Sequence, residues 1–175
     1  MNQLLITIKK AFLTAALVLM FSPTLVQAEG RPVVMPSAAD DMVMNALTLM
    51  GVPYKYGGTS PEEGFDCSGL VQYIYRSISS ITLPRTAAQM AQLAGRNVKT
   101  SELAIGDLIF FRLNNSSRIN HVAVYIGEDR FVHAPRTGRV ISIDKLDNRY
   151  WMRYFVSARR LFTDDGHLNH SVSAL

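Results

Sequence analysis

The sequence predicts an α+β domain in which helices come first and an antiparallel sheet comes after. Between Ser37 and Gly95 apolar residues recur at spacings of three and four, as on amphipathic helices. From Leu108 onward the pattern changes to short β-branched or aromatic runs at 108–111, 122–126, 130–133, 140–143 and 154–158, separated by turn residues such as Asn114-Asn115-Ser116-Ser117 and Gly138. Runs this close in sequence pair as hairpins, which favours an antiparallel sheet. A length of 175 residues, 48% hydrophobic and 18% charged, suits one domain, placed at 37–162, with tails.

The first 28 residues read as a secretory signal. Lys9 and Lys10 lead an apolar run from Ala11 to Phe21, Pro23 breaks it, and Val26-Gln27-Ala28 offers small residues for cleavage. The run is shorter than the ~20 apolar residues that cross a bilayer, so a retained anchor is disfavoured. No cysteine lies near the cleavage region for lipid attachment. Residues 1–28 hold two lysines and no acid, so the formal charge falls from +4 to +2 without them. That mild charge, with no clustered arginines and aromatic platforms, gives no nucleic-acid footprint. Residues 29–36 form an extended linker with Pro32 and Pro36, and 163–175 a polar, aperiodic tail.

Ser37 with Asp40 resembles a capping pair, and Val43, Ala46, Leu47 and Met50 form the expected buried stripe of a first helix, stopped by Gly51 and Pro53. A Gly-rich loop over 54–64 lacks a phosphate-loop lysine pattern and is not read as a nucleotide cradle. The second helix starts at Cys67, with Leu70, Val71, Ile74, Tyr75 and Ile78 facing inward. After Leu83-Pro84-Arg85, Thr86 with Gln89 caps a short third helix that carries Met90 and Leu93 inward and ends at Gly95.

Cys67 is the only cysteine, so it has no disulfide partner within the chain. In an oxidising compartment a lone thiol is a liability unless buried or used. It precedes the apolar stripe of its helix, next to Asp66 and Ser68, and is read as a nucleophile. Asp66 is a good cap, and the free N–H groups of a first turn are expected to lower the thiol pKa.

A thiol nucleophile needs a base, and imidazole is the usual one. Of four histidines, His167 and His170 lie in the polar tail and are read as solvent-exposed. His121 and His133 flank consecutive predicted strands. If Gly127-Glu128-Asp129 is a three-residue turn, Ile126 pairs with Arg130 and Ala123 with His133, which puts both imidazoles on one face. A two-residue turn would separate them, because a one-residue slip reverses every side chain.

Several stretches together resemble the NlpC/P60 cysteine peptidases: Tyr54-Lys55-Tyr56-Gly57-Gly58, Asp66-Cys67-Ser68-Gly69-Leu70-Val71, Gly106-Asp107-Leu108-Ile109-Phe110-Phe111, His121-Val122-Ala123-Val124-Tyr125-Ile126-Gly127 and Phe131-Val132-His133-Ala134. The resemblance implies a papain-like α+β fold, with the Cys67 helix packed on the sheet that supplies both histidines. It implies Cys67 as nucleophile, His121 as base and then acid, and His133 as the residue that orients His121. Tyr54 matches the family tyrosine near the oxyanion site, with Tyr56 as a competing candidate, and Asp66 and Ser68 match positions that contact the peptide stem.

The same resemblance implies hydrolysis of peptidoglycan peptides in the periplasm or outside the cell, without metal or organic cofactor. The bond is either the D-alanyl–diaminopimelate cross-link or the γ-D-glutamyl–diaminopimelate stem. The alternatives are a murein amidase or acyltransferase, an antibacterial effector, and a catalytically silent murein-binding module. No protein partner is indicated, and the sequence leaves open whether residues 113–120 gate the site.

Overall fold

The computed structural model describes residues 37–79 and 81–162. The expected signal segment, the linker, and the tail with His167 and His170 lie outside the described residues.

Helix α1 (Ala38–Thr48) opens as expected. Ser37 Oγ accepts the Asp40 N–H at 3.2 Å, and Asp40 Oδ2 accepts the Ser37 N–H at 3.0 Å. Its buried stripe is Met42, Ala46 and Leu49 with Val43 half-buried, whereas Leu47 and Met50, expected inside, are exposed. Both stripes satisfy the helical period. The choice falls to tertiary packing, in which Met42 reaches Gly106, where a Cβ would stand 3.0 Å from the Met42 sulfur.

A two-stranded ribbon, β1 (Thr59–Ser60) and β2 (Gly64–Phe65), leads into α2 (Cys67–Ile78). Asp66 caps α2 by accepting the Gly69 N–H at 2.7 Å, and Leu70, Val71, Ile74 and Tyr75 are buried as anticipated. Gly69 lets the loop lie directly on the helix, because a Cβ there would stand 2.1 Å from the Gly58 carbonyl oxygen. Helix α3 (Ala87–Met90) has the anticipated Thr86/Gln89 capping box. It stops at Met90 rather than Gly95, although Leu93 is still buried beyond its end.

The sheet contains β3 (Arg96–Val98), β4 (Leu108–Phe111), β5 (His121–Gly127), β6 (Arg130–His133), β7 (Ser142–Lys145) and β8 (Phe155–Arg160), with α4 (Arg149–Tyr154) before β8. All pairings are antiparallel, in the order β3-β8-β4-β5-β6-β7. The strand expected at 140–143 lies two residues later, and Val140 makes only an isolated bridge to Pro53. The β1/β2 ribbon, β3 and α4 were not anticipated. On one face Leu108, Phe110, Val122, Val124 and Val132 pack with residues of α1, α2 and α3. On the other, Ile109, Phe111, Ala123, Tyr125 and Phe131 are covered by Leu146 and Trp151. Burial on both sides explains why β4 reads Leu-Ile-Phe-Phe rather than alternating.

The β5–β6 turn differs from the three-residue loop expected. Gly127 pairs with Arg130, leaving Glu128 and Asp129 as a two-residue turn at φ 51° and 53°. Positive φ at both central positions is the hairpin geometry whose twist matches the flanking strands. Alone, this turn would place the histidines on opposite faces. A bulge between Tyr125 and Gly127 gives β5 one extra residue, Ile126, and restores the parity, with Val124 opposite Val132. His121 and His133 therefore share a face, with Ile126 displaced from the pairing assigned to it.

Candidate active site

Cys67, at the first position of α2, is half-buried and lines a cleft of about 490 Å³. Tyr54, Tyr56, Asp66, Ser68 and Arg85 line the cleft too, as do Arg118, Ile119 and Asn120, the residues leading into His121. The thiol is thus open to the cleft and adjoins the start of β5.

The expected lowering of the thiol pKa does not occur. Burial pushes the Cys67 thiol up, and the Asp66 carboxylate adds to the rise. Backbone N–H groups of Val122, Ser68 and Cys67 itself pull the other way without prevailing. Helix-terminal N–H groups do favour a thiolate, but desolvation of an anion in this half-enclosed position outweighs them.

His121 and His133 are almost fully buried, at 3% and 1% exposure, and His121 Nε2 stands 3.0 Å from His133 Nδ1. Burial, then the neighbouring His133, holds the His121 pKa well below the ordinary imidazole value. The rings are boxed by aromatic side chains. Trp151 stacks on His121 with centroids 5.9 Å apart and meets His133 edge-on at 4.9 Å, while Phe111 and Phe131 close the remaining sides. Beyond them, Asp144 Oδ2 lies 3.0 Å from His133 Nε2 and Ser142 Oγ lies 3.5 Å from the same nitrogen.

Asp66 does more than cap a helix. Its carboxylate accepts from the Gly57 N–H at 3.0 Å, from Ser68 Oγ at 3.2 Å, and from both terminal nitrogens of Arg85 at 2.9 and 2.6 Å. Arg85 also donates to Ser68 Oγ at 2.9 Å. Burial pushes the Asp66 carboxyl up, but the hydrogen bonds from Arg85, Gly69 and Gly57 and the Arg85 charge outweigh it, leaving the pKa below the ordinary value. The result is a fixed, charge-neutral cluster on the cleft wall beside Cys67.

The two tyrosines separate clearly. Tyr54 is half-buried against the core, and burial first, then the neighbouring Cys67 and Asp66, raise its hydroxyl above the ordinary tyrosine pKa. Tyr56 is 87% exposed at the cleft rim. Three residues at the site went unassigned in the sequence. Arg85 was visible only as part of the lead into α3, Asp144 fell outside the strand expected at 140–143, and Trp151, the chain's single tryptophan, lies on the unanticipated α4. Once β7 is set in register, with His133 opposite Ser142, Asp144 becomes the diagonal neighbour of His133.

Residues 51–160 match the NlpC/P60 family. Murein DD-endopeptidase MepH of Escherichia coli is 46% identical over 127 residues, which are 71% of this chain and 47% of that protein. The probable endopeptidase YafL of the same organism is 42% identical over 117 residues, 66% of this chain and 47% of the relative, so the chain spans about half the length of both. A crystal structure of an NlpC/P60 family protein from Bacillus cereus superimposes with a TM-score of 0.65 at 38% identity, over 71% of this chain and 41% of that one. The NlpC/p60 domain of the peptidoglycan hydrolase SagA gives 0.60 at 27%, over 70% and 97%. The fold, the ordered motifs and these similarities lead to one conclusion: the chain belongs to the NlpC/P60 family.

Proposed function

We propose that this protein is an exported cysteine endopeptidase that hydrolyses peptidoglycan peptides, with Cys67 as nucleophile, His121 as general base and His133 as its orienting partner. The observation that carries this reading is the joint placement of a cleft-lining thiol at a helix start, adjoining the start of β5, and a buried imidazole pair at 3.0 Å on β5 and β6. Because His121 Nε2 is engaged by His133, Nδ1 is the nitrogen left for the thiol.

With the thiol pKa raised and the imidazole pKa lowered, the resting pair is neutral thiol and neutral imidazole. Proton transfer to His121 then accompanies attack of the sulfur on the amide carbonyl carbon, forming the C–S bond. The Cys67 backbone N–H and the Tyr54 hydroxyl are the donors proposed for the oxyanion. Collapse breaks the C–N bond, and His121 gives its proton to the departing amine. Water, deprotonated by His121, then cleaves the thioester and regenerates the thiol. The Asp66–Ser68–Arg85 cluster supplies fixed polar contacts for a peptide stem beside the sulfur.

The relative named a murein DD-endopeptidase favours the D-alanyl–diaminopimelate cross-link over the γ-D-glutamyl–diaminopimelate bond. Mass spectrometry of purified peptidoglycan fragments, digested with the protein and with its Cys67→Ala variant, tests this. Cross-linked dimers converted to monomers by the unaltered protein alone are expected. Loss of whole stem peptides from the glycan would identify an amidase, and no new amine from either protein would leave only a binding module. Export is checked by the new N-terminus of secreted material, expected near Glu29.

A further inference from the structure

We propose that Asp144 is a positioning residue that fixes which nitrogen carries the proton in both buried imidazoles, and that Trp151 holds it in place. A carboxylate accepts and does not donate, so the His133 Nε2 only 3.0 Å from Asp144 Oδ2 must carry the hydrogen between them. A neutral His133 with its proton on Nε2 has a lone pair on Nδ1. That lone pair, 3.0 Å from His121 Nε2, can only accept, so His121 also carries its proton on Nε2. His121 Nδ1 is then left as a bare lone pair, the form a base needs. One carboxylate thus sets two tautomers in series.

The surroundings make the assignment specific. Both rings are buried away from water that could stabilise the other tautomers. Ser142 Oγ, 3.5 Å from His133 Nε2, is a weaker partner on the same nitrogen. The hydrogen bond from His133 does most to hold the Asp144 carboxyl below its ordinary pKa, and a hydrogen bond from Trp151 and the Arg139 charge lower it further. Trp151 therefore bears on the relay twice, its ring face stacked on His121 and its side chain helping to lower the Asp144 pKa. Asp144 itself is half-exposed on β7 and is not among the residues that line the cleft at Cys67. When His121 takes the thiol proton, the carboxylate faces the developing imidazolium through His133 and stabilises it.

For a neutral His133 the tautomer assignment follows from these distances, whereas its catalytic consequence rests on the peptidase reading above. Nitrogen NMR of the histidine-labelled, unmutated protein reads the tautomers directly, with signals assigned through His121→Gln and His133→Gln. Proton on Nε2 in both rings is expected, and a His133 proton on Nδ1 would overturn the proposal whatever the protein cleaves. In Asp144→Asn the amide can donate to His133 Nε2, which drives the proton of each ring to Nδ1 and removes the base. A fall in kcat of about 10²-fold with KM unchanged is expected, smaller than the ~10⁴-fold cost of altering a carboxylate in direct contact with the base of a catalytic triad. Trp151→Phe keeps the ring but loses the N–H, and should show a milder fall with a partial tautomer shift. If Asp144→Asn leaves tautomers and rate alike unchanged, the relay does not exist. If the tautomers shift in a protein that cleaves no peptide, the positioning role stands and the peptidase reading fails.

Discussion

Replacing Asp66 by alanine is expected to cost about 3 kcal/mol of stability, and each part of that loss traces to one group. Losing the side-chain cap of α2, now 2.7 Å from the Gly69 N–H, costs about 1 kcal/mol. The Gly57 N–H, a part-buried donor, loses its acceptor at about 1 kcal/mol more. The bidentate Arg85 pair adds roughly another 1 kcal/mol rather than the several typical of a buried pair, because the Arg85 side chain is 40% exposed and can recover water. Urea unfolding of both proteins measures the sum. The dependence on pH comes from the lowered carboxyl pKa. A depressed folded value contributes stability that is fully present above the ordinary, unfolded value of 3.8 and is lost as pH falls through the folded value. The gap between the two proteins should therefore be constant near neutrality and close in acid. A gap below about 1 kcal/mol at neutral pH, or one that widens in acid, would refute the assignment of Asp66 as the common anchor of loop, helix and Arg85.

Tyr54→Phe should lower kcat by about 10²-fold with KM little changed, as for removal of one oxyanion donor, whereas Tyr56→Phe at the exposed rim should leave kcat intact; steady-state kinetics on a peptide substrate separates the two. Gly69→Ala should destabilise by about 3 kcal/mol, because its Cβ would stand 2.1 Å from a backbone oxygen that no rotamer change can move, as thermal or urea unfolding will register. The pH profile of kcat/KM should rise below the ordinary imidazole value of 6.5, where His121 loses its proton, and fall only above the ordinary thiol value of 9.0. Iodoacetamide alkylation of Cys67 that is already fast and flat at pH 5 would instead mean a preformed thiolate.

The helical half was legible because its signals are local. Ser37/Asp40, Asp66 and Thr86/Gln89 each cap the helix they were expected to cap, since a cap needs only neighbours three residues away. The buried face of α1 was misread because two stripes fit the same period and a residue distant in sequence, Gly106, decides between them. Strands β4 to β6 were found within one residue at each end, while β7 was misplaced and β3 missed. Arg96–Val98 is exposed except at Val98, so it carries no alternation to read. The histidine pair was inferred by the right parity from the wrong turn. A three-residue loop and a two-residue loop with one bulged residue are equivalent in count, and only the positive φ of Glu128 and Asp129 tells them apart. Arg85 and Asp144 escaped because each acquires meaning from a partner 19 or 11 residues away across the fold.

The raised thiol pKa, which contradicted the expectation from the helix terminus, bears on the lone cysteine itself. Oxidation and disulfide exchange proceed through the thiolate, so a sulfur held neutral resists both until a base acts on it. In the mechanism proposed above the base, His121, is held neutral too, by burial first and then by the neighbouring His133. The two depressed ionisations do not cancel the chemistry. In the proposed mechanism they move charge separation from the resting state to the step at which a carbonyl carbon accepts the sulfur's electron pair and the resulting imidazolium is met by His133 with Asp144 behind it. For the exported enzyme proposed above, reactivity that arises only with substrate in the cleft would answer the hazard of an oxidising compartment to a lone cysteine better than a standing thiolate would.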